Sequence, residues 1–429
     1  MSKNSRNVMS FDGGIHPAGD GKSLSAGSPV RKAPLLDRYT VVISESVGKP
    51  PKPVVKAGDE VKKHQLIAEA DGFVSANLHA PTSGKVIGIV DVQGAMGMPV
   101  PAIQIEADGK DEAAEPMPAL DWRCAPVSDL LKRITDCGVV GMGGAAFPTH
   151  VKLSPPPEKE VDTLILNGAE CEPYLTPDTR EFLECSDTIV SGIAAVMKYC
   201  EIKNCVIGIE ANKPDCIAKM TELVKEMPGV TVKTLPSRYP QGAEKNLVEN
   251  CTGREVPQFG PTGAPGLPAD AGCVVMNVTS VSTLGKFLKT GMPLVSKRVT
   301  VDGDAIAKPQ NVEVAIGTSL QDIVDFCGGI KEGVTLGKVI SGGPMMGRAM
   351  TDLSSPLIKQ NNGLLLFSKE KATIPAPSAC IRCGRCINGC PMGLAPVQIS
   401  EAFNARDYDQ LDKLNIGLCV ACGTCSFVC

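Results

Sequence analysis

Aromatic residues are scarce in this chain, at 4% of 429 positions with a single tryptophan. The cores must therefore be built from Val, Ile, Leu and Ala, and 44 Gly with 34 Pro predict many turns. An excess of positive charge is missing too. Against 47 acidic residues stand 43 Lys and Arg, a net charge of -4, which removes the basic face that a nucleic-acid partner would favour. No run of eighteen apolar residues occurs, so no membrane span is expected. The opening "MSKNSRNVMSFDGG" lacks the apolar centre of a signal peptide, and the chain is expected to stay in the cytoplasm. Its length exceeds what one core usually serves, which predicts two to four domains.

Cysteine, by contrast, is abundant at eighteen residues. In a small exported protein these would form disulfides, but a large chain without an export signal points elsewhere. Ten are scattered singly from Cys124 to Cys327 and are expected to be mostly small buried apolar residues. The other eight fall into two runs. Cys380, Cys383, Cys386 and Cys390 follow C-x2-C-x2-C-x3-C-P, with Pro391 completing it, and Cys419, Cys422, Cys425 and Cys429 repeat the cysteine spacing. This is the ligand run of bacterial [4Fe–4S] ferredoxins, in which the fourth cysteine of each run serves the other cluster. One cluster is thus assigned to Cys380, Cys383, Cys386 and Cys429, and a second to Cys419, Cys422, Cys425 and Cys390. The competing reading is a pair of four-thiolate zinc sites, but zinc ribbons pair two C-x2-C knuckles and need no third cysteine three residues on. Apolar Val397, Ile399, Phe403, Leu411 and Leu414 between the runs predict one or two short amphipathic helices. No proline follows Cys429, which suggests that the natural chain continues.

Upstream, "GVVGMGGAAFPTHVKL" contains Gly141, Gly143 and Gly144. It formally matches G-x-G-x-x-A, but a helix-like "SDLLKRITDCGVV" precedes it where a dinucleotide fold requires a strand. The physical content remains: glycines expose backbone N–H groups and permit close approach of a phosphate or flat ring, and Lys152 adds a cation. A glycine-rich surface turn is the plainer alternative. Beyond it, strand-like "VDTLILN", "NCVIGIEA", "VTVKTLP" and "CVVMN" alternate with helix-like segments, a βαβ series that predicts a mainly parallel sheet. Ligands bind such sheets off the carboxyl ends of the strands. There "NGAECEPYLTPDTR", "YPQGAEKN" and "MNVTS" are expected to converge with the glycine loop.

The ordered set GxGGAxFPTxxK, NGAECEP, QGAEK and VVMNV resembles the flavin-binding, NADH-oxidising subunit of respiratory complex I. With "FDGGIHP" near the start and the twin cysteine runs, nearly the whole chain resembles more closely the RnfC family of Rnf complex subunits. The resemblance implies a multidomain α/β protein with a Rossmann-like FMN/NADH domain over 121–294. It further implies an N-terminal barrel-sandwich-like domain over 1–120, a small soluble-ligand-binding β-grasp domain over 295–352, and a linker with a helical two-cluster ferredoxin module over 353–429. By similarity, Gly141, Gly143, Gly144 and Lys152 cradle the FMN phosphate, Asn167 and Asn277 contact the flavin with Gly242 beside them, and Phe147 and Phe259 match aromatics that stack NADH. Glu170, Glu172 and Glu244 match acidic residues near flavin and nicotinamide, with Glu172 and Glu244 orienting the nicotinamide. The chain departs from the family at Ala169 and Ala243, where acidic residues are usual, and lacks a nucleotide-binding Lys near Phe259. In the first domain Phe73 occupies the exposed hairpin where carrier barrels hold their lysine, which predicts docking rather than cofactor attachment; His64 and His79 are expected to be surface or packing residues. "SGGPMMG" is expected to be a turn, since no P-loop Lys-Ser/Thr follows.

The implied activity passes electrons between NAD(H), FMN, two [4Fe–4S] clusters and another subunit. It would do so at the cytoplasmic face of the cell membrane, within an ion-translocating ferredoxin:NAD oxidoreductase whose other subunits supply the ion path and meet ferredoxin. The alternatives are a soluble flavin/iron–sulfur reductase for an acceptor such as cobalamin, or a wiring subunit without NADH activity.

Overall fold

In the computed structural model of the protein, residues 11–17, 19–94, 97–118, 120–260 and 263–429 are described. The parallel sheet carries the architecture. Strands Thr163–Gly168, Asn204–Glu210, Val230–Leu235 and Cys273–Asn277 are all parallel, and lie in the spatial order third, second, first, fourth. Their residues are largely apolar and buried on both faces, as helices on both sides require. The strand order reverses between the first and fourth strands, and at that switch point Asn167 and Asn277 are register partners. A crevice outside these two strand ends is where an open α/β sheet binds its ligand.

Helices Ser186–Tyr199 and Val278–Thr290 pack closely on one face. Glycine makes the approach possible. A Cβ on Gly192 would lie 2.1 Å from the Val281 carbonyl oxygen, and one on Gly285 would lie 2.0 Å from that of Thr188. Helix Val278–Thr290 begins directly at the sheet edge because Asn277 caps it, accepting from the Thr279 N–H at 2.9 Å.

The N-terminal domain consists of a four-stranded and a three-stranded antiparallel sheet closed around Ile67, Leu78, Ile103 and Ile105. Its Phe73 hairpin meets the glycine loop of the parallel-sheet domain: the Phe73 carbonyl accepts from His150 Nε2 at 2.8 Å, and the two rings pack edge to face. The Val47 N–H donates to Ala146 O nearby. His79 is buried, a packing residue.

The third domain is a six-stranded mixed sheet. Its helix Leu320–Phe326 starts where Ser319 accepts from the Asp322 N–H. Strand Gly363–Ser368, which the sequence pattern assigns to a linker, lies within this sheet between Ser296–Asp302 and Leu336–Ser341. A short, wholly apolar "GLLLF" has no alternation to mark it, and its burial on both faces is a tertiary fact. Strand Arg31–Lys32, far upstream, adds an edge by pairing with Gln310–Ala315. The C-terminal module has helices Pro396–Ala405 and Tyr408–Lys413 between the cysteine runs. Among the described residues no helix is long and apolar enough to cross a membrane.

Candidate functional site: a flavin crevice beside two cysteine runs

The residues expected at the flavin converge on the switch point. Asn167 donates from Nδ2 to the Gly242 carbonyl at 3.0 Å and accepts from the Ala169 N–H. Gly242 approaches so closely that a Cβ would lie 3.4 Å from Cys171 Sγ and 3.6 Å from the Asn167 amide. Asn277 donates from Nδ2 to Asp178 at 2.8 Å, and Asp178 also accepts from the Thr279 hydroxyl. The glycine loop crosses above. Gly143 has φ +76°, and a Cβ there would lie 3.0 Å from the Asn362 amide. Gly144 and Ala145 are exposed, and their N–H groups have no protein acceptor among the described residues. Open amides beside a cation form an anion cradle. The cation is Lys152, whose Nζ donates to Glu244 at 2.7 Å and to the Val275 carbonyl at 2.9 Å. Gly141 closes the loop through its N–H to Phe147 O, and Phe147 is half-buried beneath it. These residues fit a flavin: the glycine loop and Lys152 could hold its phosphate, and Asn167, Gly242 and Asn277 its ring.

Other expected residues stand differently. Glu170 is half-buried and caps the helix Pro177–Glu184, accepting from the Asp178 N–H at 2.6 Å and the Thr179 hydroxyl at 2.6 Å. Burial pushes its carboxyl up to about 7, against the pull of the Lys22 cation. Glu172 turns toward the third domain, where its two oxygens accept from the N–H groups of Met345 and Met346 at 3.0 and 2.9 Å. That turn is "SGGPMMG", so the segment expected to be a plain turn also holds a carboxylate. Gly343 is its floor: a Cβ there would lie 2.4 Å from the Glu172 carboxyl. Glu172 is in this arrangement a strut between domains. Phe259 is exposed and faces the cysteine module near Gly417, with no contact to Phe147.

Three contributors have no local signature in the sequence. Lys22, buried, spends all three ammonium protons on carbonyls of the "NGAECEPYL" loop: Glu170, Glu172 and Leu175. Lys359, also buried, joins Asn77 of the barrel to Gly138 of the flavin domain, while Gln360 accepts from the Gly143 N–H. Tyr239 is 2% exposed and donates its hydroxyl to the Cys422 carbonyl at 2.7 Å. The clustered glycines of "FDGGIHP" and the "NN" of residues 361–362 are the available hints.

The two cysteine runs have the same backbone. Arg382 and Ala421 have φ +53° and +51°, and Gly384 and Gly423 both have φ +75°. Short helices Arg385–Asn388 and Thr424–Phe427 follow. The Arg382 N–H donates to Cys380 Sγ and the Ala421 N–H to Cys419 Sγ, each at 3.4 Å. Leu394 N–H reaches Cys390 Sγ at the same distance. A sulfur that accepts from a backbone N–H suits a thiolate on an iron–sulfur cluster. Among the described residues no three His, Cys, Asp or Glu side chains meet where a single metal ion could sit. The runs differ in setting: Cys422 is buried against the flavin domain, whereas Cys380 and Cys383 are exposed. Gly389, beside Cys390, lies against Thr424 of the other run. A cleft of about 680 Å³ at the opposite, amino-terminal edge of the parallel sheet is bounded by Asp162, Arg254 and Asp270. Arg254 there pairs with Asp162, and Lys159 with Asp270.

Comparison with known proteins finds four family domains along the chain. Residues 134–286 match the Nuo51 FMN-binding domain, 9–110 the RnfC barrel sandwich hybrid domain, 298–349 the SLBB domain and 373–429 a 4Fe-4S dicluster domain. The C subunit of the proton-translocating ferredoxin:NAD(+) oxidoreductase complex of Clostridium ljungdahlii is 47% identical, over 92% of this chain and 84% of that one. The Na(+)-translocating counterpart of Acetobacterium woodii is 41% identical, over 94% and 90%. The crystal structure of an NAD+-reducing [NiFe]-hydrogenase shares the fold at TM-score 0.50 and 18% identity, covering 70% of this chain and 60% of that one. The chain belongs to the RnfC family, the C subunits of Rnf-type ion-translocating ferredoxin:NAD(+) oxidoreductase complexes.

Proposed function

We propose that the protein is the peripheral electron-transfer subunit of such a complex, exchanging electrons between NAD(H) and two [4Fe–4S] clusters by way of FMN. It works at the cytoplasmic face of the membrane, beside subunits that carry the ion path and meet ferredoxin. The observation that carries this reading is the continuity of residues 239–242. At one end Gly242 bonds Asn167 in the crevice, and at the other Tyr239 bonds the Cys422 carbonyl.

When bound, FMN accepts electrons in pairs from a nicotinamide and releases them singly, which is the conversion between those two carriers. The chain's own residues do the rest. Lys152 and the open amides of Gly144 and Ala145 would hold the phosphate; Asn167, Gly242 and Asn277 would hold the ring. Phe147, whose carbonyl closes the loop on the Gly141 N–H, would stack on the nicotinamide nucleotide. Glu244, beside Lys152, is the carboxylate placed to orient a nicotinamide, with Glu170 and Glu172 holding the loop behind it. Phe259, on the rim, is available to a nucleotide base. Cys419, Cys422, Cys425 and Cys390 would bind the cluster nearer the crevice; Cys380, Cys383, Cys386 and Cys429 would bind the outer one.

The test is anaerobic addition of NADH to protein reconstituted with FMN, iron and sulfide. Flavin bleaching followed by the EPR signal of reduced clusters is expected. Clusters reducible by dithionite beside a flavin untouched by NADH would make the chain a wire rather than a dehydrogenase. Crossed ligation has its own readout. Cys429→Ser should remove the signal of the outer cluster and spare that of the inner one; selective loss of the inner signal would refute the pairing.

A further inference from the structure

We propose that residues 11–16 and Tyr239 form a positioning strap that holds the ligands of the inner cluster at a fixed gap from the flavin crevice; this rests on the function proposed above. The strap touches both sides of the junction. On the flavin-domain side, Ile15 and Tyr239 exchange backbone hydrogen bonds at 2.8 Å each. Arg238 donates to the Phe11 carbonyl at 3.0 Å and its guanidinium lies over the Phe11 ring. His16 Nδ1 lies 2.6 Å from the Ser237 carbonyl. On the cysteine side, the Gly14 N–H donates to the Gly389 carbonyl at 2.9 Å.

Two consecutive glycines allow this. Gly13 and Gly14 have φ +74° and +70°, a conformation that costs L residues energy. A Cβ on Gly13 would lie 2.4 Å from the Cys390 carbonyl oxygen, and one on Gly14 would lie 2.6 Å from that of Tyr239. No side chain fits between the two modules there. Tyr239 completes the clamp from within. Its ring is buried, and its phenol finds a partner in the carbonyl of Cys422, a cluster ligand of the nearer run. Cys390 and Cys422, from different runs, are assigned to the same inner cluster. The strap therefore grips that cluster's ligand shell from two directions and, among the described residues, makes no such contact with the ligands assigned to the outer one.

Tyr239→Phe removes one oxygen and leaves the Cys422 carbonyl short of its buried donor. The test uses the full chain loaded with FMN and clusters. Amide hydrogen exchange in residues 417–425 and 389–394 is expected to rise about tenfold, the scale set by one buried hydrogen bond and its orphaned partner. In rapid mixing with NADH, the cluster phase should slow relative to the flavin phase, while flavin bleaching and the KM for NADH hold. Gly13→Ala, which wedges the junction from the other side, should reproduce both changes if Tyr239→Phe folds poorly. Wild-type exchange in both variants, or equal slowing of the flavin and cluster phases, overturns the proposal. Failure of NADH to bleach the flavin in the wild-type protein would sink the functional reading alone, since the exchange arm needs no nicotinamide.

Discussion

Replacing Lys22 by methionine should destabilise the protein by about 3 kcal/mol, among the larger single-site losses expected of it. The ammonium is buried and its protons are shared among three carbonyls of one loop. Methionine fills most of the volume but leaves those carbonyls without this donor, the Leu175 carbonyl in a buried place. Release from the cost of burying the charge offsets part of the loss. The effect should also depend on pH. Desolvation pushes the Glu170 carboxyl up to about 7, and Lys22 is the first group that pulls it down. A carboxyl raised above its ordinary value costs stability as pH climbs through that value. Without Lys22 the carboxyl rises further, so the penalty continues to accumulate above pH 7. The gap between wild type and Lys22→Met should thus be wider at pH 8.5 than at pH 6. Urea midpoints at the two pH values measure it; equal gaps would mean that Lys22 acts on the loop alone and not on Glu170.

Lys152→Met should weaken FMN binding by roughly 10- to 100-fold, the worth of one charge-assisted hydrogen bond. The fold should be unaffected, because Nζ is partly exposed and engages one surface carboxylate and one strand carbonyl. Glu244→Gln is expected to move affinity the other way, since Glu244 holds the ammonium and repels a phosphate. Fluorescence titration of the flavin-free protein reads both. A Lys152→Met variant with unchanged affinity would remove the phosphate from the glycine loop.

The parallel sheet and the cysteine runs are legible in the sequence because each is a local pattern. Strands such as "VDTLILN" and "NCVIGIEA" declare themselves within seven or eight residues, and cysteine spacing needs no fold at all. The convergence of Asn167, Gly242 and Asn277 follows from the strand-end rule. What escapes is contact at long range. Lys22 is 148 residues from Glu170 in sequence, and nothing near either marks the bond. Glu172 invites a reading from its chemistry, but its partners are backbone amides of Met345 and Met346, which have no residue identity to notice. Strand Gly363–Ser368 is invisible for a third reason: a strand buried on both faces is only a short apolar run until its neighbours are known.

The strap also imposes an order of events at the ribosome. Gly14 emerges 375 residues before the Gly389 carbonyl that it bonds, an interval of roughly 20 to 75 s at ordinary rates of synthesis. Within that interval the βαβ domain acquires all its strands well before the clustered cysteines exist. The flavin crevice can thus be built and filled during translation. The clamp cannot close until residues 389–422 have been made, so the crevice is complete before the contacts that hold the cysteine module against it can form.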